Sequence, residues 1–239
     1  MKKISILIIA LAMALGVSAQ DDKDWSIIPR IGLNISNLGD MDIEYSDNGT
    51  MKSHAYSNVM AGAEFDYSLN QTLSVGIGAL YSRQGCHYKG YSTPPYPIGD
   101  NVMRSELVES SNVVLQYLNI PVTGTLHLSE NLAFKTGIQC GVLLSGSWDQ
   151  DETIIDTKNG EIINNQSVPS NTDMGELCSK TVWSIPLGFQ VEYEKILVDV
   201  SYAIPLTGFC KTITMDNGSE MKFSKGSNKV LTFSVGYRF

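Results

Sequence analysis

Strict alternation of large apolar residues with small or polar ones constrains this chain more than any other feature. In "VWSIPLGFQVEY", Trp183, Ile185, Leu187, Phe189, Val191 and Tyr193 fall on one side, and Ser184, Pro186, Gly188, Gln190 and Glu192 on the other. Successive side chains point to opposite faces of a strand, so this pattern makes one apolar and one polar face only if the chain is extended. "ILVDVSYAI" repeats it, setting Ile196, Val198, Val200, Tyr202 and Ile204 against Asp199, Ser201 and Ala203. Only Glu194 and Lys195 separate the two stretches, which is the spacing of a two-residue hairpin. No segment after the N-terminus carries a 3.6-residue apolar stripe, so the fold class is all-β.

The same reading yields eight strands, near residues 26–36, 56–68, 72–84, 113–127, 132–146, 181–193, 196–208 and 229–239. Their links alternate between tight ones at 69–71, 128–131 and 194–195 and long ones at 37–55, 85–112, 147–180 and 209–228. A meander with tight turns at one end and long loops at the other is the pattern of an eight-stranded antiparallel up-and-down transmembrane β-barrel, with short periplasmic turns and long extracellular loops. Eight strands enclose an interior that side chains fill. Three long links carry an Asn-Gly pair, Asn48-Gly49, Asn159-Gly160 and Asn217-Gly218. Asn-Gly favours the type I′ turn, so β-hairpins are expected to project beyond the membrane. The link at 85–112 carries "STPPYP", whose prolines point to a stiff, irregular lobe.

The first residues decide the compartment. "MKKISILIIALAMALGVSAQ" has a basic start at Lys2 and Lys3, an apolar run from Ile4 to Leu15, and small residues at Val17 and Ala19. That is an export signal over residues 1–19, and the mature barrel is then residues 20–239. A retained membrane helix needs about 20 apolar residues, more than this run supplies. Cleavage takes two lysines with it and moves the formal charge from −8 to −10. So acidic a chain repels phosphate backbones, and nucleic acid is excluded as a partner.

Several stretches resemble the PorT-like outer-membrane β-barrel proteins, often labelled porin-family proteins, of Gram-negative bacteria. They are "RIGLNIS" (30–36), "GALYSRQG" (78–85), "LQYLNIPV" (115–122), "FKTGIQCGVLL" (134–144) and "FSVGYRF" (233–239). The resemblance implies one barrel domain in the outer membrane of a Gram-negative cell, in contact with lipid and lipopolysaccharide. It also implies that the terminal aromatic strand ending on Phe239 is the signal read by the barrel-assembly machinery. The matching residues are barrel-building positions, so the resemblance supplies no activity.

If the bulky set meets lipid, the other set faces the lumen. Arg30, Glu64, Asp66, Lys135, Glu192, Asp199 and Arg238 then point inward near the tight-turn end, with His127 beside them. Three basic and four acidic groups at one level of a narrow barrel are expected to pair, because unpaired charges away from water are expensive. The lumen is then plugged. The competing reading is that some of them solvate the periplasmic rim. Aromatic residues divide into two groups, Phe65, Tyr67, Phe134, Tyr193, Tyr237 and Phe239 near the turns and Tyr81, Trp183, Tyr202 and Phe209 near the loops, as two interfacial girdles would.

Four cysteines lie in an exported chain, where disulfides are permitted. Cys140 falls on the lipid-facing register and reads as a small apolar residue. Counting outward from Glu194-Lys195 sets residue 178 against residue 211, so Cys178 and Cys210 are the disulfide candidate. Strict alternation points them to opposite faces, and a bulge is required to bring them together. Counting around the 69–71 turn sets His54 against Cys86 with His87 next, but no fourth ligand follows, and no metal or cofactor is expected.

The acidic third loop lacks calcium-loop spacing and reads as a solvated surface. The histidines lie outside any nucleophile motif, so no enzyme is expected. The expectation is a monomeric barrel with an occluded lumen, in a structural role or meeting an unidentified surface partner through its loops. A soluble lipocalin-like barrel that binds an apolar ligand, and a lipid-acting outer-membrane enzyme, are the alternatives.

Overall fold

A computed structural model of the chain describes residues 24–39, 43–44, 50–92, 94–99, 101–210, 212–214, 220–222 and 226–239. The described residues form fourteen strands: β1 (Trp25–Gly39), β2 (Ile43–Glu44), β3 (Thr50–Met51), β4 (Ser53–Ser68), β5 (Leu73–Ser92), β6 (Tyr96–Gly99), β7 (Val102–His127), β8 (Leu132–Lys158), β9 (Glu161–Asp173), β10 (Thr181–Tyr193), β11 (Ile196–Pro205), β12 (Thr212–Thr214), β13 (Glu220–Lys222) and β14 (Ser227–Tyr237). Eight of them close a ring in the order β1, β4, β5, β7, β8, β10, β11, β14, and every neighbouring pair is antiparallel. Closure is made by β1 with β14, from Arg30 opposite Gly236 to Gly39 opposite Ser227. A closed ring leaves no barrel edge to pair with another chain.

The turns gather at one end. Residues 128–131 and 194–195 are the turns expected from the spacing, and Glu194 takes φ 56°. The first turn is longer than expected: it spans 69–72, with the Leu69 N–H donating to Leu73 C=O at 2.9 Å. The longer turn, together with a bulge between Ala55 and Met60, sets His54 opposite His87 and Ala55 opposite Cys86, not His54 opposite Cys86.

At the other end the strands run on past the barrel. β5 continues to Ser92 and β7 begins at Val102, so strand takes up most of the irregular lobe expected over 85–112. Within it Pro97 sits in β6, which adds to the free side of β7, an edge place where a residue without an N–H is tolerated. β8 and β9 form the expected hairpin around Asn159 (φ 53°) and Gly160 (φ 86°), both in the left-handed region that a type I′ turn demands. Short ladders β2–β3 and β12–β13 flank the other two Asn-Gly pairs, whose tips lie outside the described residues.

Burial alternates as the sequence does, with polar residues inside and apolar ones outside. Ile31 (68% exposed), Leu33, Val59, Ile77, Val122, Phe189, Val200 and Val235 stand outward, while Arg30, Asn34, Glu64, Ser82, Asn119 and Gln190 are buried within. This is the reverse of a soluble barrel for an apolar ligand. The apolar core is elsewhere, at the loop end.

Candidate functional site: the filled lumen

Three layers of side chains fill the barrel from turn end to loop end. The first is charged. Glu64 on β4 stands opposite Ile28 on one side and Gly78 on the other, and the missing side chain at Gly78 leaves room for the Glu64 Cγ. Lys135 Nζ donates to Glu64 Oε2 at 2.6 Å, and Arg30 Nε forms an ion pair with the same oxygen at 2.6 Å. Arg30 Nη2 donates to Gln190 Oε1 at 2.6 Å, and Nη1 to Ser234 Oγ at 3.4 Å. Closer to the rim, Arg238 grips Glu192 with Nε at 2.7 Å and Nη2 at 3.0 Å, donates to Ser26 Oγ at 2.7 Å, and faces Asp66 at 3.9 Å.

The inward charges named from the sequence are therefore placed in two groups, one buried and one at the rim. His127 belongs to neither: its Nε2 meets Ser74 Oγ at 3.1 Å. Asp199 Oδ2 and Asp66 Oδ1 are buried and make no hydrogen bond. Asp199 lines a cavity of about 50 Å³ together with Arg30, Glu64 and Lys135, a polar space roomy enough for water.

The middle layer is polar and neutral. Asn34 donates to Ser82 Oγ at 2.8 Å and accepts from Thr232 Oγ1 at 2.8 Å, while Gln84 links Ser82 to Asn228. These residues border a second cavity of about 70 Å³. Ser36 closes the layer by accepting from the Gly85 N–H at 2.8 Å and donating to its carbonyl at 3.0 Å. Gly85 has φ +151°, and a Cβ there would collide with the Val113 carbonyl oxygen, so only glycine allows β5 and β7 to approach here.

The third layer is an apolar cap at the loop end. Leu38, Cys86, Tyr88, Val113, Leu115, Tyr117, Met174, Cys178 and Phe209 bury one another, with Trp148 and Cys210 packed against them. Phe209 is not a girdle residue, as its place in the sequence implied. It is wholly buried, and its ring fills the space left by Gly226. The alternation that points outward in β11 is broken after Pro205, where both Leu206 and Thr207 donate to the Trp183 carbonyl, at 2.8 and 3.4 Å, and the chain turns inward. Beyond this point Cys178 stands directly opposite Cys210 in an isolated antiparallel bridge, and both carry thiols. Cys140 lies opposite Ile120 and Trp183 on the outward register.

Phe239 donates its N–H to the Ile27 carbonyl at 3.0 Å and packs edge-on against Tyr237 at 4.7 Å. Sequence reasoning missed Gln190, Ser234 and Ser26 as partners of the arginines, although each sits on the inward register. It missed the cap altogether, because its residues come from four separate strands and two long links.

A closed eight-stranded meander with an apolar exterior and a charged and polar interior is a membrane-spanning β-barrel. Residues 18–211 match the family model of the outer membrane protein beta-barrel domain, and the chain belongs to that family. It is an outer-membrane protein of Gram-negative type, set in lipid and lipopolysaccharide. No curated protein matches the chain.

Among solved structures, Ail, the attachment invasion locus protein of Yersinia pestis, is 13% identical, with 91% of this chain and 100% of that chain covered and a TM-score of 0.39. Outer membrane protein W of E. coli is 14% identical, covering 91% and 99%, TM-score 0.38. Neisserial surface protein A is 9% identical, covering 91% and 98%, TM-score 0.38. Likenesses this distant carry no argument about function.

Proposed function

We propose that this chain is a PorT-like barrel that serves as a closed outer-membrane anchor, holding a rigid β-structure at the cell surface for a partner yet to be identified. The observation that carries this reading is the filled lumen: among the described residues a charged layer at the turn end and an apolar cap at the loop end stand on either side of two small cavities. A conducting role needs a continuous aqueous path. The extracellular parts of β5 to β9 instead present a broad sheet beyond the barrel. The anchor works as a monomer, without catalysis. Ser74 beside His127 is a hydroxyl–imidazole contact, but the hydroxyl is buried within the filled turn end, where no acyl substrate approaches. Residues 1–19 are removed on export, residues 20–239 are the barrel, and Phe239 is read by the assembly machinery.

The test is conductance of the purified protein in planar bilayers. Silence under applied voltage supports the anchor, and stable openings of porin size sink it. N-terminal sequencing of protein from outer membranes is expected to begin at Gln20.

A further inference from the structure

We propose that Cys178 and Cys210 are joined by a disulfide that latches the apolar cap over the outer mouth of the lumen. The backbone has already placed them. Ser179 N–H donates to Phe209 C=O at 2.6 Å, the bond that flanks a non-hydrogen-bonded antiparallel pair one residue back on one strand and one residue on along the other. At such positions the Cα atoms stand about 4.5 Å apart with side chains turned toward each other. That separation falls in the range of about 4.4 to 6.8 Å that a disulfide spans. Ordinary pairing from the Glu194-Lys195 turn sets residue 178 against residue 211, on the wrong face. The isolated bridge between Cys178 and Cys210 stands one residue out of that register, which removes this obstacle.

The choice of partner is set by surroundings. Cys86 shares the cap, yet it faces Ala55 and Val113 across its two ladders and is engaged by the Tyr88 side chain. Cys140 lies on the outward register, away from the cap. Cys178 and Cys210 belong to the links on either side of the β10–β11 hairpin, so a bond between them ties Met174 and Phe209 together over the mouth.

Formation is a thiol–disulfide exchange. Both thiols give up their protons, the sulfurs join, and the two electrons pass to the disulfide of an exported protein oxidoreductase, which leaves as a dithiol. Burial, and then the neighbouring Cys178, push the Cys210 thiol up to about 12 in the packed cap. Such a thiol is a poor nucleophile at neutral pH, so the exchange takes place before the cap closes.

This latch rests on the outward placement of the loop end. Its test is independent of conductance. Protein taken from outer membranes without reductant is denatured, treated with N-ethylmaleimide and digested. The expected result is one linked peptide pair joining Cys178 to Cys210, with maleimide on Cys86 and Cys140. Maleimide on both Cys178 and Cys210, or linkage of either to Cys86, overturns the proposal. Limited trypsin cleavage of folded protein within the 206–226 link is expected to rise about tenfold with reductant, and C178S/C210S to show the higher rate without it. Equal rates with and without reductant would refute the latch even if the variant proved hard to fold.

Discussion

Glu64 holds two cations with one oxygen, and its energetics follow from that. Arg30, Glu64 and Lys135 are each nearly sealed from solvent, with side-chain exposures of 2, 7 and 9%. Removing the shared acid leaves two buried cations without their direct partner. Breaking a buried pair in this way costs about 3–5 kcal/mol. Glu64→Gln is therefore expected to lower the urea unfolding free energy in lipid vesicles by about that much. The quadruple variant Glu64→Met, Arg30→Met, Lys135→Met, Asp199→Asn should regain most of the loss, since replacing the whole buried charge group removes the desolvation penalty with the charges. An unchanged unfolding curve for Glu64→Gln would show that water penetrates and screens the layer.

The inward charges themselves were readable from the period of two. Their grouping was not, because it depends on reach: Arg238 extends to the rim and Ser26, whereas Arg30 turns toward Gln190 and Ser234.

At the scale of the element, the extracellular hairpin is where reading and structure part. Barrel strands show one apolar face because lipid lies on one side only. In β7 the residues Val113, Val114 and Leu115 are all buried in succession, Val113 and Leu115 beneath the cap. Period two vanishes there, and with it the signal that the strand continues. Farther out, β7, β8 and β9 are clasped by Asp156, which accepts from Arg104 at 2.7 and 3.0 Å and from Asn164 at 3.1 Å.

The hydrogen bonds from Arg104, and then from Asn164, hold the Asp156 carboxyl below its usual 3.8. A depressed acid contributes stability that is fully present above its unfolded value and is lost as pH falls through the folded one. Hydrogen-exchange protection of residues 161–173, corrected for intrinsic rates, should hold from neutral pH down to about 4 and fall below it. Asp156→Asn should abolish that acid step. Protection that declines between neutral pH and about 5 would assign the clasp to other groups.

At the scale of the whole molecule, the apolar exterior is a claim about solvent, and depth tests it. Ile31 stands at mid-strand between Val235 of β14 and Ala61 of β4, while Tyr193 borders the Glu194-Lys195 turn. Both are about equally bare, at 68 and 69% exposed, so a soluble barrel would treat arginine at either place alike. In a bilayer the two differ. Arginine near the midplane of a barrel costs about 2–4 kcal/mol, and near the interface about 0–1. Ile31→Arg should therefore lower the folding free energy into vesicles by several times the loss for Tyr193→Arg. In detergent micelles, where the charge finds water at any depth, the gap should narrow. Equal losses in vesicles would mean that the ring of apolar residues does not face hydrocarbon.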